Sequence, residues 1–257
     1  MGFLTDLVDD TRRRLERDPL DESRLMALAI HLPPTRPFEE ALRRAVPPAV
    51  IAEYKRSSPS AGAIADVDAA TQARAYEDGG ATAISVLTEP TRFDGALADA
   101  RAVRLAVGLP VLRKDFLIHP SQVIESRAAA ADAVLLIAAA LSELELKGML
   151  AVAADLGLGA LVETHSEDDL AKALATDARV VGVNARDLET LEVDGDRALR
   201  LLPMVPADRV AVLESGVSTR RDIERAIDAG ARAVLVGETL MRASDPAATI
   251  RALRGAA

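Results

Sequence analysis

The chain has 257 residues, of which 49% are hydrophobic and 28% are charged, and its formal net charge is −9. This length is enough for one large domain with a substantial core. The negative charge argues against general binding to nucleic acid, which needs a basic face. The sequence has no cysteine, which excludes disulfides, thiolate metal sites and cysteine nucleophiles.

No apolar run approaches the roughly 18–20 residues that a membrane span needs, so no membrane partner is expected. Residues 1–10 include three aspartates and lack the apolar stretch of a signal peptide. The absence of cysteine fits a reducing compartment. A cytoplasmic location is therefore expected.

The pattern of apolar residues in 1–47 predicts a helical extension ahead of the first strand. Two further helical patterns, at 24–31 and 38–46, follow an apolar stripe at helical spacing. The stripe consists of Phe3, Leu4, Leu7, Val8, Thr11 and Leu15. Because these apolar faces must be covered, we expect the extension to pack on a barrel as part of one domain spanning 1–257.

Eight short apolar runs predict eight strands, separated by helical patterns. The runs are 49–54, 83–87, 110–112, 133–137, 159–162, 180–183, 210–213 and 233–236. They do not alternate with polar residues, which is typical of parallel strands covered on both faces. The pattern predicts an α/β protein with a (β/α)8 TIM barrel. A doubly wound open sheet is the alternative, but no Gly-x-Gly-x-x-Gly follows the first strand.

Charged and polar residues lie at or just after the ends of the predicted strands, at the C-terminal side of the barrel, where such barrels carry their active sites. Inward-facing charges are costly unless a ligand site needs them, so the set predicts an acid–base site. The set consists of Glu53, Lys55, Lys114, Glu163, Asn184, Arg186, Glu214 and Ser215. The chain has only four lysines, and the other two, Lys147 and Lys172, fall on predicted helices as solvated positions.

Two glycines and two phenylalanines add binding functions to this rim. Gly216 and Gly237 follow the last two strands, where backbone N–H groups approach a phosphate in many barrels. Phe93 and Phe116 fall in loops at the same end and are expected to hold a flat ring between them. The three histidines lack the spacing of metal ligands, so no metal site is expected.

Six segments resemble the indole-3-glycerol phosphate synthase family of tryptophan biosynthesis, and the similarity extends over nearly the whole chain. The segments are 51–60 (IAEYKRSSPS), 112–116 (LRKDF), 161–163 (LVE), 183–188 (VNARDL), 214–217 (ESGV) and 235–237 (LVG). The resemblance implies decarboxylating ring closure and dehydration of 1-(2-carboxyphenylamino)-1-deoxyribulose 5-phosphate to indole-3-glycerol phosphate, CO2 and water. It implies no cofactor.

The resemblance also implies the residue roles. Lys114 would be the general acid, Glu163 and Glu53 would handle protons during dehydration, and Lys55 would act as an acid or a clamp. The catalytic set is Glu53, Lys55, Lys114, Glu163, Asn184 and Ser215. The substrate-binding set is Ser58, Phe93, Phe116, Arg186, Glu214, Gly216 and Gly237. Glu238 stands where a serine often contacts phosphate, so its side chain is expected to point away from the phosphate.

Two alternatives remain open. A barrel of the phosphoribosylanthranilate isomerase type would share the phosphate loops, but its chemistry needs no lysine at the position of Lys114. A non-catalytic barrel that binds a phosphorylated metabolite would lack the acids and bases that are present here. In either case the expected partner is a small phosphorylated molecule, and the expected assembly is a monomer or a weak homodimer.

Overall fold

The structure is a computed structural model that describes residues 2–255. Eight parallel strands form a closed barrel, in which β1 pairs with both β2 and β8. The strands are β1 Ala49–Tyr54, β2 Ala83–Leu87, β3 Val111–Lys114, β4 Ala133–Ile137, β5 Gly159–Thr164, β6 Val180–Asn184, β7 Val210–Glu214 and β8 Ala233–Val236. The predicted (β/α)8 fold is confirmed.

Helices precede the barrel, connect its strands and close the chain. They are α1 Phe3–Arg17, α2 Glu22–Ala29, α3 Phe38–Arg44, α4 Ala69–Asp78, α5 Leu97–Ala106, α6 Pro120–Ala128, α7 Glu143–Asp155, α8 Glu167–Leu174, α9 Gly195–Leu201, α10 Arg220–Asp228, α11 Glu238–Met241 and α12 Pro246–Arg254. Short 3-10 turns follow β4 and α9. No helix within residues 2–255 is long and apolar enough to cross a membrane.

Alternating side chains on each strand divide the core into an inner and an outer part. On β1, Ile51 joins the cluster inside the barrel, whereas Ala52 and Tyr54 pack outward beneath the helices. Glu53 therefore faces inward, as the strand period of two requires. This alternation carries the functional side chains into the barrel mouth.

The strands that end in functional residues are longer than their apolar runs. Lys114 pairs in register with Leu87, Glu163 with Ile137 and Asn184 with Glu214. Hydrophobicity drops at these positions, but the backbone ladder continues through them. These strand-end side chains are consequently anchored on the rigid barrel rather than on its loops.

The extension contacts both ends of the barrel. Leu4 and Leu7 of α1 are buried in the inner cluster with Phe116, at the C-terminal side. Phe38 of α3 contacts the inner cluster at the opposite end, where a Cβ on Gly159 would lie 2.9 Å from the Phe38 Cβ. The third helix ends at Arg44 rather than at residue 46. Val46 precedes Pro47, and a proline disfavours the helical conformation in the residue before it.

Lys172 corrects one expectation. Its ammonium donates to the carbonyl oxygens of Ala138 and Leu141 at 2.6 and 2.9 Å, so it holds the turn after β4 rather than a solvated face. Lys147 is half exposed and pairs with Glu143 one helical turn away. Only Lys147 behaves as the helical pattern predicts.

Candidate active site

A cavity of about 500 Å³ opens at the C-terminal ends of the strands. Every candidate site residue from the sequence contributes to its lining. They are Glu53, Lys55, Ser58, Phe93, Lys114, Phe116, Glu163, Asn184, Arg186, Glu214, Ser215, Gly216 and Gly237. The barrel thus brings together residues that range from position 53 to position 237 of the chain.

Lys114 lies between two buried carboxylates. Its Nζ is 2.7 Å from Glu163 Oε2 and 3.2 Å from Glu214 Oε2. The other oxygen of Glu163 lies 3.1 Å from His165 Nε2. The three strands β3, β5 and β7 therefore deliver one acid–base cluster to the mouth.

The surroundings of this cluster shift the pKa values of its two carboxyl groups in opposite directions. Burial raises the pKa of Glu214 to about 8, and Lys114 offsets only part of that effect. Burial also acts on Glu163, but Lys114 and His165 outweigh it and hold its pKa well below its usual range. Burial would lower the pKa of Lys114, yet the facing carboxylates raise it. The two shifts have opposite directions, so Glu163 is the more readily ionised of the two carboxyl groups.

Lys55 and Glu53 form a second acid–base pair on β1, with 2.9 Å between Nζ and Oε1. Gly237 is needed beside this pair, because a Cβ there would collide with Glu53 Oε1 and lie 3.2 Å from Lys55 Nζ. Gly182 has the same relation to Glu214, whose Oε1 would collide with a Cβ. These two glycines provide space for buried carboxylates, which spacing in the sequence does not reveal.

Replacing Gly237 with alanine is expected to lower kcat by about 10-fold, because the added methyl group displaces Glu53 from Lys55 and from the cavity. Steady-state kinetics on the expected substrate measures this effect. Gly148→Ala is the matched control, since a Cβ at Gly148 meets nothing within 4 Å and alanine favours a helix. Equal kinetics in both variants would contradict the placement of Glu53.

Phe93 and Phe116 form one aromatic wall rather than two sides of a slot. Their ring centroids are 6.3 Å apart with an interplanar angle of 31°. A third ring stacked between them would need about 3.5–4.0 Å on each side. The expected sandwich is therefore wrong, and a flat ligand can contact only the exposed side of this wall. Phe3 of α1 also lines the cavity, although its position in an apolar stripe predicted only a packing role.

Arg186 supplies a cation without a carboxylate partner among residues 2–255. Its Nη1 donates to the Leu191 carbonyl at 2.7 Å, and its backbone N–H donates to Asn184 Oδ1 at 3.0 Å. These bonds orient the loop after β6 and leave the charge of the guanidinium available. Arg186 can therefore attract an anionic group in the cavity.

The loop after β7 turns sharply into the cavity. Ser215 and Gly216 have φ values of 65° and 75°, and this left-handed region is strained for the serine but not for the glycine. Glu238, after β8, pairs with Arg242 at 2.9 Å, and both line the cavity. Glu238 is thus oriented along its own helix toward a cation.

No group of three or more His, Asp or Glu side chains within residues 2–255 is arranged as metal ligands. The fold and the cavity define an α/β-barrel enzyme with an acid–base site for a small molecule. Its lysines and carboxylates are placed for proton transfer, and Arg186 adds a binding cation. Comparison with known proteins gives the family.

The sequence profile described as indole-3-glycerol phosphate synthase matches residues 4–253. An indole-3-glycerol phosphate synthase from Micrococcus luteus is 48% identical over 263 residues, which cover 100% of this chain and 98% of that protein. One from Leifsonia xyli subsp. xyli is 50% identical over 250 residues, with 97% and 95% covered. The chain belongs to the indole-3-glycerol phosphate synthase family, a family of decarboxylating lyases in tryptophan biosynthesis.

Solved structures with lower sequence identity share the fold. A 3-hexulose-6-phosphate synthase superposes with a TM-score of 0.65 at 18% identity, covering 80% of this chain and 98% of that one. A thiamine phosphate pyrophosphorylase from Pyrococcus furiosus gives a TM-score of 0.61 at 16% identity, with 85% and 96% covered. At these identities the comparison supports the barrel alone.

Proposed function

We propose that this chain converts 1-(2-carboxyphenylamino)-1-deoxyribulose 5-phosphate to indole-3-glycerol phosphate, CO2 and water, as its family membership implies. The observation that carries the proposal is the cluster of Lys114, Glu163 and Glu214 at the mouth of the barrel. The reaction needs both a proton donor and a proton acceptor within one cavity, and this cluster provides both.

Lys114 is the general acid of ring closure. The ring carbon that bears the carboxylate attacks the ketone carbon, and the developing alkoxide takes a proton from the ammonium. Loss of CO2 then restores the aromatic ring. The facing carboxylates keep Lys114 protonated until the alkoxide, a much stronger base, forms beside it.

Dehydration needs a second acid–base pair. The new hydroxyl leaves as water with a proton, and the neighbouring CH2 group loses a proton to complete the indole. Glu163 and Glu53 handle these protons, with Lys55 as the acid or as a clamp on the departing group. The Lys55–Glu53 contact of 2.9 Å supports their action as a unit.

The remaining residues orient the substrate. The polar parts of the substrate contact four residues that line the cavity, Asn184, Arg186, Glu214 and Ser215. The Phe93–Phe116 wall offers a surface to the benzene ring of the substrate. Ser58 and the backbone N–H groups at Gly216 and Gly237 hold the phosphate. The geometry of Gly237 supports a double role, because the same position also accommodates Glu53.

Incubation of the purified chain with the carboxyphenylamino substrate, followed by indole fluorescence, tests this function. The expected result is a fluorescent product that forms with CO2 release. Turnover of phosphoribosylanthranilate instead would support the isomerase alternative. Tight binding of the substrate without turnover would support a non-catalytic barrel.

Inorganic phosphate is expected to compete with the substrate, and Glu238→Ser is expected to leave KM unchanged or to lower it by about two-fold. The Glu238 carboxylate is engaged by Arg242, so its removal relieves repulsion of the phosphate and frees a cation. Steady-state inhibition at fixed ionic strength measures both effects. A clear rise in KM for this variant would mean that the carboxylate makes a needed contact and that the phosphate lies elsewhere.

The proposal includes a cytoplasmic enzyme that is a monomer or a weak homodimer. The large apolar side chains that are exposed are spread over several elements, with no more than three of them on or next to any one helix, which supports the absence of an extensive obligate interface. They are Met26, Leu28, Ile30, Val46, Leu105, Leu144, Val193 and Met204. Light scattering across a concentration series tests the assembly, and a stable higher oligomer at nanomolar concentration would refute it.

A further inference from the structure

His165 is a buried histidine beside the catalytic cluster that the proposed mechanism does not use. It follows the last residue of β5 and is only 8% exposed. Its Nε2 is 3.1 Å from Glu163 Oε1, while Lys114 Nζ approaches Oε2 of the same carboxylate at 2.7 Å. Each oxygen of Glu163 therefore faces a different nitrogen.

The backbone around His165 is fixed independently of Glu163. The N–H of His165 donates to Asp169 Oδ2 at 3.1 Å, and Ser166 caps α8 by accepting from the Asp169 N–H at 3.1 Å. These bonds tie the end of β5 to the first turn of α8. His165 does not line the cavity, so any effect on the substrate passes through Glu163.

We propose that His165 is a positioning residue. Its buried Nε2 has no hydrogen-bond partner in the structure and lies 3.1 Å from Oε1 of Glu163, so a small turn of the ring lets it donate to that oxygen and leaves Oε2 as the oxygen that exchanges protons in the reaction. This inference rests on the proposed function for its catalytic consequence. The contact itself rests only on the geometry of the two side chains.

A second group that positions the Glu163 carboxylate matters because the charge of Lys114 changes during the reaction. When Lys114 gives its proton to the substrate, the ammonium that faced Glu163 becomes a neutral amine. A donor at Oε1 then remains and keeps the carboxylate in place and ionised. The titratable groups in contact with His165 are Glu163, near the end of β5, and Asp169 on α8, which accepts from the His165 backbone N–H. The neighbouring 3-10 turn Ala138–Ala140 contributes only alanines.

His165→Leu removes the donor, and His165→Gln retains an N–H at a similar reach. We expect His165→Leu to lower kcat by about 10-fold with KM changed less than about two-fold, because Glu163 loses its orientation. In the pH profile of kcat/KM, the rise on the acidic side (the acid limb) should move to higher pH, since loss of a donor to the carboxylate raises the pKa of Glu163. His165→Gln should restore most of kcat and of the acid limb.

His119→Leu is the matched control. His119 caps α6 by accepting from the Ser121 N–H and does not line the cavity, so its loss should lower thermal stability without moving the pH profile. A parent-like acid limb in His165→Leu would overturn the proposal. So would a His165→Gln variant that is as impaired as the leucine variant, because a purely structural role does not depend on the donor.

A readout that needs no turnover separates this proposal from the proposed function. The carboxyl carbon of Glu163 can be followed by ¹³C NMR in a glutamate-labelled chain and assigned with Glu163→Gln. Its titration should move to higher pH in His165→Leu and stay unchanged in His119→Leu. An unchanged titration in both variants overturns the contact, whereas a parent without turnover refutes only the proposed function.

Discussion

Lys114→Arg is expected to lower kcat by about 10²-fold or more, with a smaller effect on substrate binding. Arginine retains the positive charge, but its guanidinium does not give up a proton at any working pH. Its planar head also cannot take the position of an ammonium between Glu163 and Glu214, which lie 2.7 and 3.2 Å from Nζ. Steady-state kinetics with separate kcat and KM values measures the effect.

Lys172→Arg is the control for this variant. Lys172 is also partly buried and donates to two backbone carbonyls, but it lies outside the cavity. Its replacement should leave kcat within about two-fold of the parent even if the melting temperature falls. Normal turnover by Lys114→Arg would remove Lys114 from the mechanism as the general acid.

Glu163→Gln is the second variant with a large expected effect, a fall in kcat of about 10²-fold. The amide is nearly isosteric with the carboxylate but accepts no proton at neutral pH. Glu163 is 1% exposed and its pKa is held well below its usual range, so it is the ionised base of the cluster. Its loss should remove proton transfer while the fold persists.

Glu125→Gln is the matched control for this loss of charge. Glu125 pairs with the buried Arg113 at 2.9 Å, outside the cavity. That variant should lose stability without losing kcat. If Glu163→Gln instead melted far below the parent and retained its turnover per folded molecule, Glu163 would be a structural partner of Lys114 and not a base.

The fold could be predicted because each barrel strand is locally apolar. Eight such runs are visible in the sequence, and the period of two on β1 correctly turns Tyr54 outward and Glu53 inward. The ends of the strands were harder to predict, because hydrophobicity stops at Lys114 and Glu163 while the hydrogen-bond ladder continues through them. Hydrophobicity reports burial, and ladder pairing depends on the neighbouring strand.

The sequence predicted which residues line the cavity, but not which of their side chains contact one another. Strand ends meet at one rim, which places the candidate residues together whatever their separation in sequence. Which carboxylate faces Lys114, and that His165 lies behind Glu163, depend on side-chain rotamers across strands. The same limitation explains the wrong aromatic sandwich, since loop positions do not give the distance between the Phe93 and Phe116 rings.

A single-turnover experiment tests the central claim, that Lys114 and its carboxylates carry out the proposed ring closure. Excess enzyme is mixed with substrate labelled in the carboxyl carbon, and CO2 release and indole formation are followed together. The parent should release CO2 and form indole-3-glycerol phosphate in equal amounts, while Lys114→Arg should bind the substrate and form both products about 10²-fold more slowly. Release of CO2 by Lys114→Arg at the parent rate, or a parent that binds the substrate and yields neither product, would contradict the account.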